Sequence, residues 1–236
     1  MAKMNKEVFY EELAKLNIEL NEEQKEKLNT YCEFLITYNE HTNLTAIKER
    51  DDIYLKHFYD SLTLAKIYDF QEETLLDVGT GAGFPGVVLA IVYPGLKVTL
   101  LDSNNKKIKF LDELIEKLNL KNVTTVHDRA ENYIQNNREK FDLVTSRAVA
   151  ELRILLELNI PYLKVNGKFL VMKSNVNEEL ENALSALKVL DCHLDKEISF
   201  ELPFNAGKRT LLLISKDKET NKKYPRLYEK IKKQKL

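Results

Sequence analysis

The sequence predicts an α/β fold: a Rossmann-like, doubly wound sheet of seven strands, mostly parallel with an antiparallel last strand, behind a helical N-terminal extension. Two observations predict the sheet. From Thr74 onward short apolar runs alternate with helical stretches, the pattern of a parallel sheet covered on both faces. Residues 77–86 read DVGTGAGFPG, directly after the first such run, and hold four of the chain's seven glycines. A strand would avoid glycine, so the backbone here must turn sharply and approach a ligand closely. The third observation is helical periodicity throughout residues 6–70, which predicts the extension.

Each element has its own signal. Val8, Phe9, Leu13 and Leu16 recur at helical spacing. Asn21 reads as the cap of a second helix, with Gln24 as its capping-box partner. The apolar face of that helix is Leu28, Tyr31, Cys32, Leu35 and Tyr38, spaced by three and four. Residues 38–45 read as polar loop, and Asp51-Asp52 open a third helix carrying Ile53, Leu55, Phe58, Leu62, Leu64 and Ile67. Strands are expected at 74–78, 97–101, 122–127, 141–145 and 168–172, with helices at 84–93, 104–118, 129–137 and 148–160 between them. A helix at 177–188 precedes two strand-like runs, 193–201 and 208–215. The Leu202-Pro203-Phe204-Asn205-Ala206-Gly207 connection suits a hairpin return, hence an antiparallel pair at the sheet edge. Three parts result: a helical extension over 1–70, a sheet domain over 71–216 and a basic tail over 217–236.

The chain has 236 residues, 44% hydrophobic and 31% charged, enough apolar material for one large core. No apolar run is long enough to cross a bilayer, and MAKMNKEVFYEEL lacks the apolar stretch of a secretory signal. Cys32 and Cys192 lie far apart, and His41, His57, His127 and His193 form no metal motif. A cytoplasmic monomer without metal or disulfide is expected. Net charge is −1, but residues 216–236 hold nine Lys/Arg against three Asp/Glu. Such asymmetry reads either as an interaction arm or as a solvated, amphipathic last helix.

Two ligand classes compete for the glycine loop. Gly81-Ala82-Gly83-Phe84-Pro85-Gly86 matches G-x-G-x-x-G, with Asp102 about 20 residues on, as a dinucleotide site requires. The strand ends at Val78, however, which makes Asp77-x-Gly79-x-Gly81-x-Gly83 the better register. An acid before three alternating glycines suits S-adenosylmethionine, a cationic ligand without pyrophosphate. Asp102, at the tip of the second strand, is placed to accept both ribose hydroxyls. Asp128-Arg129-Ala130-Glu131 follows the third strand, where adenine would lie. Ser146-Arg147 follows the fourth, where the methyl group would point, and both are positioning candidates.

The acceptor is narrowed by what is missing. A base N6-methylating enzyme would place Asp or Asn before Pro-Pro and an aromatic, but the chain has Thr145-Ser146-Arg147-Ala148-Val149-Ala150. A cytosine C5 enzyme needs a thiolate nucleophile, and neither cysteine is near a strand end. Guanine N7 needs only positioning, since its lone pair is in plane and carries no proton; near-attack alignment can be worth about 7–11 kcal/mol.

The chain resembles the ribosomal RNA small subunit methyltransferase G family, also called glucose-inhibited division protein B, over nearly its whole length. The resemblance rests on Asn43-Leu44-Thr45-Ala46-Ile47, on His57-Phe58-Tyr59-Asp60-Ser61-Leu62 and on DVGTGAGFPG. It continues with Leu101-Asp102-Ser103-Asn104-Asn105-Lys106-Lys107, Arg129-Ala130-Glu131 and FDLVTSRAVA at 141–150. It implies methyl transfer from S-adenosylmethionine to N7 of one guanine in the decoding-region hairpin of 16S rRNA, in the small ribosomal subunit. By motif match it implies Gly79, Phe84, Ala130, Glu131 and Arg147 as cofactor-binding residues, beside Asp77, Gly81, Gly83 and Asp102 from the loop and ribose readings. Family tails carry Tyr-Pro-Arg followed by glycine and proline; here Tyr224-Pro225-Arg226 is followed by Leu227-Tyr228. Lys106, Lys107, Lys109, Lys173, Lys208, Arg209 and the tail are candidates for an RNA-binding surface. A small-molecule methyltransferase, an NAD-dependent oxidoreductase and a non-catalytic RNA-binding protein remain the alternatives.

Overall fold

The computed structural model describes residues 3–147 and 150–236. Helix α1 (Lys6–Ala14) starts where the Asn5 side chain accepts from the Val8 amide, and it buries Phe9 and Leu13. Helix α2 (Glu22–Thr42) has the expected capping box, the Asn21 and Gln24 side chains each bonding the other's amide at 2.9 and 3.0 Å. Leu28, Tyr31, Cys32 and Leu35 are buried along it, and Tyr38 is half-buried. The third helical stretch is not uniform. Helix α3 (Arg50–Ile53) runs into a π turn at Tyr54–Tyr59, then α4 (Asp60–Leu62) and a 3₁₀ turn at Thr63–Lys66. Such widened turns concentrate at functional sites, and this one carries His57.

The alternating region follows: β1 (Thr74–Val78), α5 (Gly86–Val92), β2 (Lys97–Asp102), α6 (Asn105–Lys117), β3 (Val123–His127), α7 (Ala130–Tyr133), β4 (Phe141–Arg147), α8 (Leu152–Asn159), β5 (Leu163–Lys173), α9 (Asn177–Val189), β6 (Cys192–Glu201) and β7 (Lys208–Lys216). The order across the sheet is β3-β2-β1-β4-β5-β7-β6, and β7 alone runs against the rest. All seven expected strands are present. Helix α5 starts two residues later than expected because Phe84-Pro85 stays in the loop. The expected start of α8 at 148 lies outside the described residues. Alternate side chains build the two faces. Leu75, Leu100, Leu143 and Leu170 pack under α1, α2, α5 and α6; Leu76, Leu101, Val144 and Val171 pack under α8 and α9.

Chain order reverses between β1 and β4, so their carboxyl ends open a crevice. Two of the loop glycines are packing requirements here. A Cβ on Gly86 would lie 2.4 Å from Leu100 Cδ2 and 2.8 Å from Asp77 Oδ2; one on Gly83, at φ +98°, would meet Val87 and the Tyr31 hydroxyl at 2.6 and 2.7 Å.

Residues after β7 lie against the sheet domain. Lys216 is fully buried, its Nζ donating to the Glu139 carboxylate at 2.7 Å and the Leu163 carbonyl at 2.8 Å. Arg138 donates to the carbonyls of Thr220, Asn221 and Tyr224. Arg226 meets the buried Glu157 of α8 through Nε (2.8 Å) and a terminal nitrogen (2.6 Å). Helix α10 (Tyr228–Lys233) then seats Ile231, fully buried, against Ile154 and Leu158.

Two outcomes follow. Gly86→Ala overpacks the loop floor and is expected to cost about 1–3 kcal/mol in chemical denaturation. Arg226→Ala strands the buried Glu157 charge and is expected to cost about 3–5 kcal/mol by the same measurement.

Candidate active site

The loop between β1 and α5 is held from below and from the side. Gly79, Gly81 and Gly83 adopt φ of +72°, +64° and +98°, a region L side chains rarely enter. Asp77 lies beneath the loop, fully buried, and its Oδ2 accepts from the Gly86 amide at 2.9 Å, placing a carboxylate at the start of α5. Its Oδ1 and the Thr80 hydroxyl are both buried without a hydrogen-bond partner. Burial raises the Asp77 carboxyl to about 6. At the side, Asp102 ends β2 and accepts from the Gly81 amide (2.9 Å) and the Asn104 amide (2.8 Å).

Three cavities adjoin the strand ends. One of about 280 Å³ lies over β1–β3, between Val78, Leu101, Asp102, Ala130, Leu158 and Tyr228, with Glu131 at its edge. A second, about 380 Å³, shares Gly79, Asp102 and Ser103 with it and runs over Gly81 and Phe84 to Thr45, His57 and Arg147. The third, about 960 Å³, opens on the far side of His57 and Arg147, above the ends of β4, β5 and β7. His57 and Arg147 line both larger cavities and so stand at their junction.

That junction is a fixed array. Arg147 donates to the Lys56 carbonyl (3.1 Å), Asp60 Oδ2 (3.4 Å) and His57 Nδ1 (3.1 Å), and its guanidinium lies 5.1 Å over the Phe84 ring. A guanidinium only donates, so His57 Nδ1 is the acceptor and the ring proton sits on Nε2. Nε2 then donates to the Thr45 hydroxyl at 3.0 Å. Burial, with the Arg147 charge beside it, lowers the His57 pKa to about 3. Its imidazole is therefore neutral near pH 7 and has no free lone pair for a proton. Phe84 is sandwiched between His57 (centroids 4.2 Å apart) and Tyr31 (5.3 Å), and the Tyr31 hydroxyl donates to the Ala82 carbonyl. Asp60 also accepts from Arg209 of β7 at 2.9 Å, joining both arginines to the helical segment.

Gly79, Gly81, Phe84, Asp102 and Arg147 thus line the second cavity and Ala130 and Glu131 the first, with Gly79 and Asp102 shared by both. Asp77 and Gly83 lie under the loop instead. Ser146 is fully buried, its hydroxyl donating to the Val78 carbonyl at 3.0 Å, so it clamps β1 to β4. Ala148 and Val149 of the SRAVA run lie outside the described residues. Sequence reasoning missed Tyr31, Asp60 and Tyr228 as wall residues or supports, and it named Arg209 only as a surface candidate, not as a partner of Asp60. The 38–45 loop is shorter than expected: α2 continues through Thr42, because its last turns keep the helical apolar spacing, and only 43–45 are irregular. Asn39 bonds the Thr45 backbone in both directions, and Leu44 and Thr45 line the second cavity. Among the described residues no three His, Cys, Asp or Glu side chains are grouped to hold a metal ion.

A Staphylococcus haemolyticus protein named ribosomal RNA small subunit methyltransferase G is 47% identical over 218 residues, covering 91% of each chain. One of the same name from Streptococcus gordonii is 48% identical over 228 residues, 94% of this chain and 96% of that one. Among solved structures, a SAM-dependent methyltransferase from Aquifex aeolicus shares the fold with a TM-score of 0.56 at 20% identity, over 73% of this chain and 97% of its own. M. jannaschii TYW2, solved with AdoMet, aligns with a TM-score of 0.54 at 16% identity, over 66% of this chain and 73% of its own. The model of the family described as rRNA small subunit methyltransferase G matches residues 24–203, and with these relatives it shows that the chain belongs to that family.

Proposed function

We propose that the protein, a monomer in the cytoplasm working without a metal ion, methylates N7 of a guanine in 16S rRNA of the small ribosomal subunit, with S-adenosylmethionine as donor. One observation carries the reading: a groove of nucleoside dimensions and a larger open cavity meet at His57 and Arg147. The residues of the groove fit the donor. Each Asp102 oxygen accepts one amide, Oδ2 with Lys107 Nζ also 3.7 Å away, and the lone pair left on Oδ1 gives capacity for a ribose hydroxyl. The incompletely paired Asp77 carboxylate under the loop favours a cationic ligand above it. The same carboxylate occupies the Gly86 amide at the α5 start, where a dinucleotide's pyrophosphate would need to sit, which disfavours NAD.

S-adenosylmethionine supplies, when bound, an electrophilic methyl group, and its transfer leaves a neutral thioether. The protein's part is alignment. Phe84, held between Tyr31 and His57, and Arg147, held by three partners, give the junction rigid walls. Guanine N7 attacks with its own lone pair and no proton leaves, so no general base is required. The occupied His57 lone pair supports that reading, since the one histidine at the junction is not free to accept a proton. Lys173 and Arg209 sit in the large cavity beside it and are placed to meet phosphates of an incoming strand.

The direct test is methyl transfer from labelled S-adenosylmethionine to small subunits from cells lacking this protein, with the modified base mapped. Label on N7 of a 16S guanine is expected; label elsewhere, or none, overturns the proposal. In that assay Arg147→Lys keeps the charge but loses the planar fork that reaches His57 and Asp60 together. A displacement of about 1 Å can cost roughly 10²-fold in rate, and a loss of that order is expected. The single-turnover rate at saturating donor is expected to stay flat between about pH 7 and pH 9. A rate rising with each pH unit would mean that a group must first lose a proton, and base-free transfer would be wrong.

A further inference from the structure

We propose that Tyr228, on the short helix at the end of the chain, is the outer wall of the nucleoside end of the donor groove and stacks on the purine. The inference rests on the donor reading above and adds a binding residue from the C-terminal helix. The inner walls of the 280 Å³ cavity are Val78 and Leu101, at the tips of β1 and β2, with Ala130 and Leu158 beside them. Those side chains give a flat purine apolar surface below and at its sides. Tyr228 completes the lining from the solvent side, half-buried, with Asp102 and Asp128 at the polar rim to accept from sugar hydroxyls and an exocyclic amine. The ring is not there by chance of a loose tail. Ile231, one turn on, is fully buried against Ile154 and Leu158, and Arg226, two residues before Tyr228, is locked to Glu157. Two cations brace the ring: the Arg129 guanidinium of the β3–α7 connection, 5.8 Å from its centroid, and Lys232 Nζ, one turn along the same helix, at 5.6 Å. A tyrosine so held offers a broad face with little rotamer entropy left to lose on binding.

Calorimetric titration of the full-length protein with S-adenosylhomocysteine, and with adenosine alone, tests this without turnover. Tyr228→Ala is expected to weaken both ligands about tenfold or more, the size of one base–aromatic stack. Tyr228→Phe is expected to stay within about twofold of wild type, since the face and not the hydroxyl is invoked. The chain has no tryptophan, so Tyr228→Trp introduces a single indole emitter whose fluorescence should change on adding S-adenosylhomocysteine. Equal affinities for Tyr228→Ala and wild type overturn the proposal. If the alanine variant unfolds, indole fluorescence from the Tyr228→Trp variant that stays unchanged under ligand shown by calorimetry to be bound overturns it instead. Wild-type protein that binds neither ligand refutes the donor groove itself, a separate outcome.

Discussion

The Arg147 guanidinium is the point where the two halves of the site are tied. It leaves the carboxyl end of β4, a sheet position, and spends its donors on Lys56, His57 and Asp60, all on the helical segment before the sheet. Through His57 it fixes a ring that stacks on Phe84 of the glycine loop; through Asp60 it reaches Arg209 on β7. Without that cation the histidine would lose the donor that sets its tautomer, and Asp60 would keep one arginine instead of two. Burying a guanidinium is costly unless it is paired and fully bonded, and here the pairing consumes residues from three separate regions of the chain. The conformation of the junction is thus decided jointly and cannot relax one residue at a time.

Charges of both signs line the crevice. Around the 280 Å³ cavity stand Asp102, Asp128 and Glu131, the last paired with Arg129 at 2.7 Å. On the far side of Arg147 the basic groups Lys56, Arg153, Lys173 and Arg209 face the larger cavity, several of them oriented by carboxylates: Lys173 by Glu179 at 2.6 Å, Arg209 by Asp60.

Much of this was legible because the signals are local. Strand positions follow from apolar runs, and the ends of β1 and β2 put Gly79 and Asp102 beside each other once the sheet is parallel. The capping box of α2 needs only Asn21 and Gln24. What was illegible depends on contacts between distant segments. Ser146 stands next to Arg147 in sequence, yet alternation along β4 turns it onto Val78 and away from the groove. Gly83 belongs to the same alternating series as Gly79 and Gly81, but its space is taken by Tyr31, fifty-two positions earlier, which no spacing rule announces. The π turn at Tyr54–Tyr59 escapes helical periodicity because one wide turn barely shifts the apolar pattern while it re-aims His57. The C-terminal charge run concealed Ile231 and Tyr228, whose burial depends on the surface of α8.

The position of β7 bears on how the chain is made. It is the last strand synthesised, yet it lies between β5 and β6. The outer edge of β5 has no native neighbour until residues 208–216 have left the ribosome, and β6, translated earlier, must wait beside it. The two late strands can close first as a local hairpin through the 202–207 turn and then dock as one unit. Meanwhile the segment of β5 that β7 will cover begins and ends with Lys168 and Lys173, charges of the kind that discourage a stray strand from pairing there.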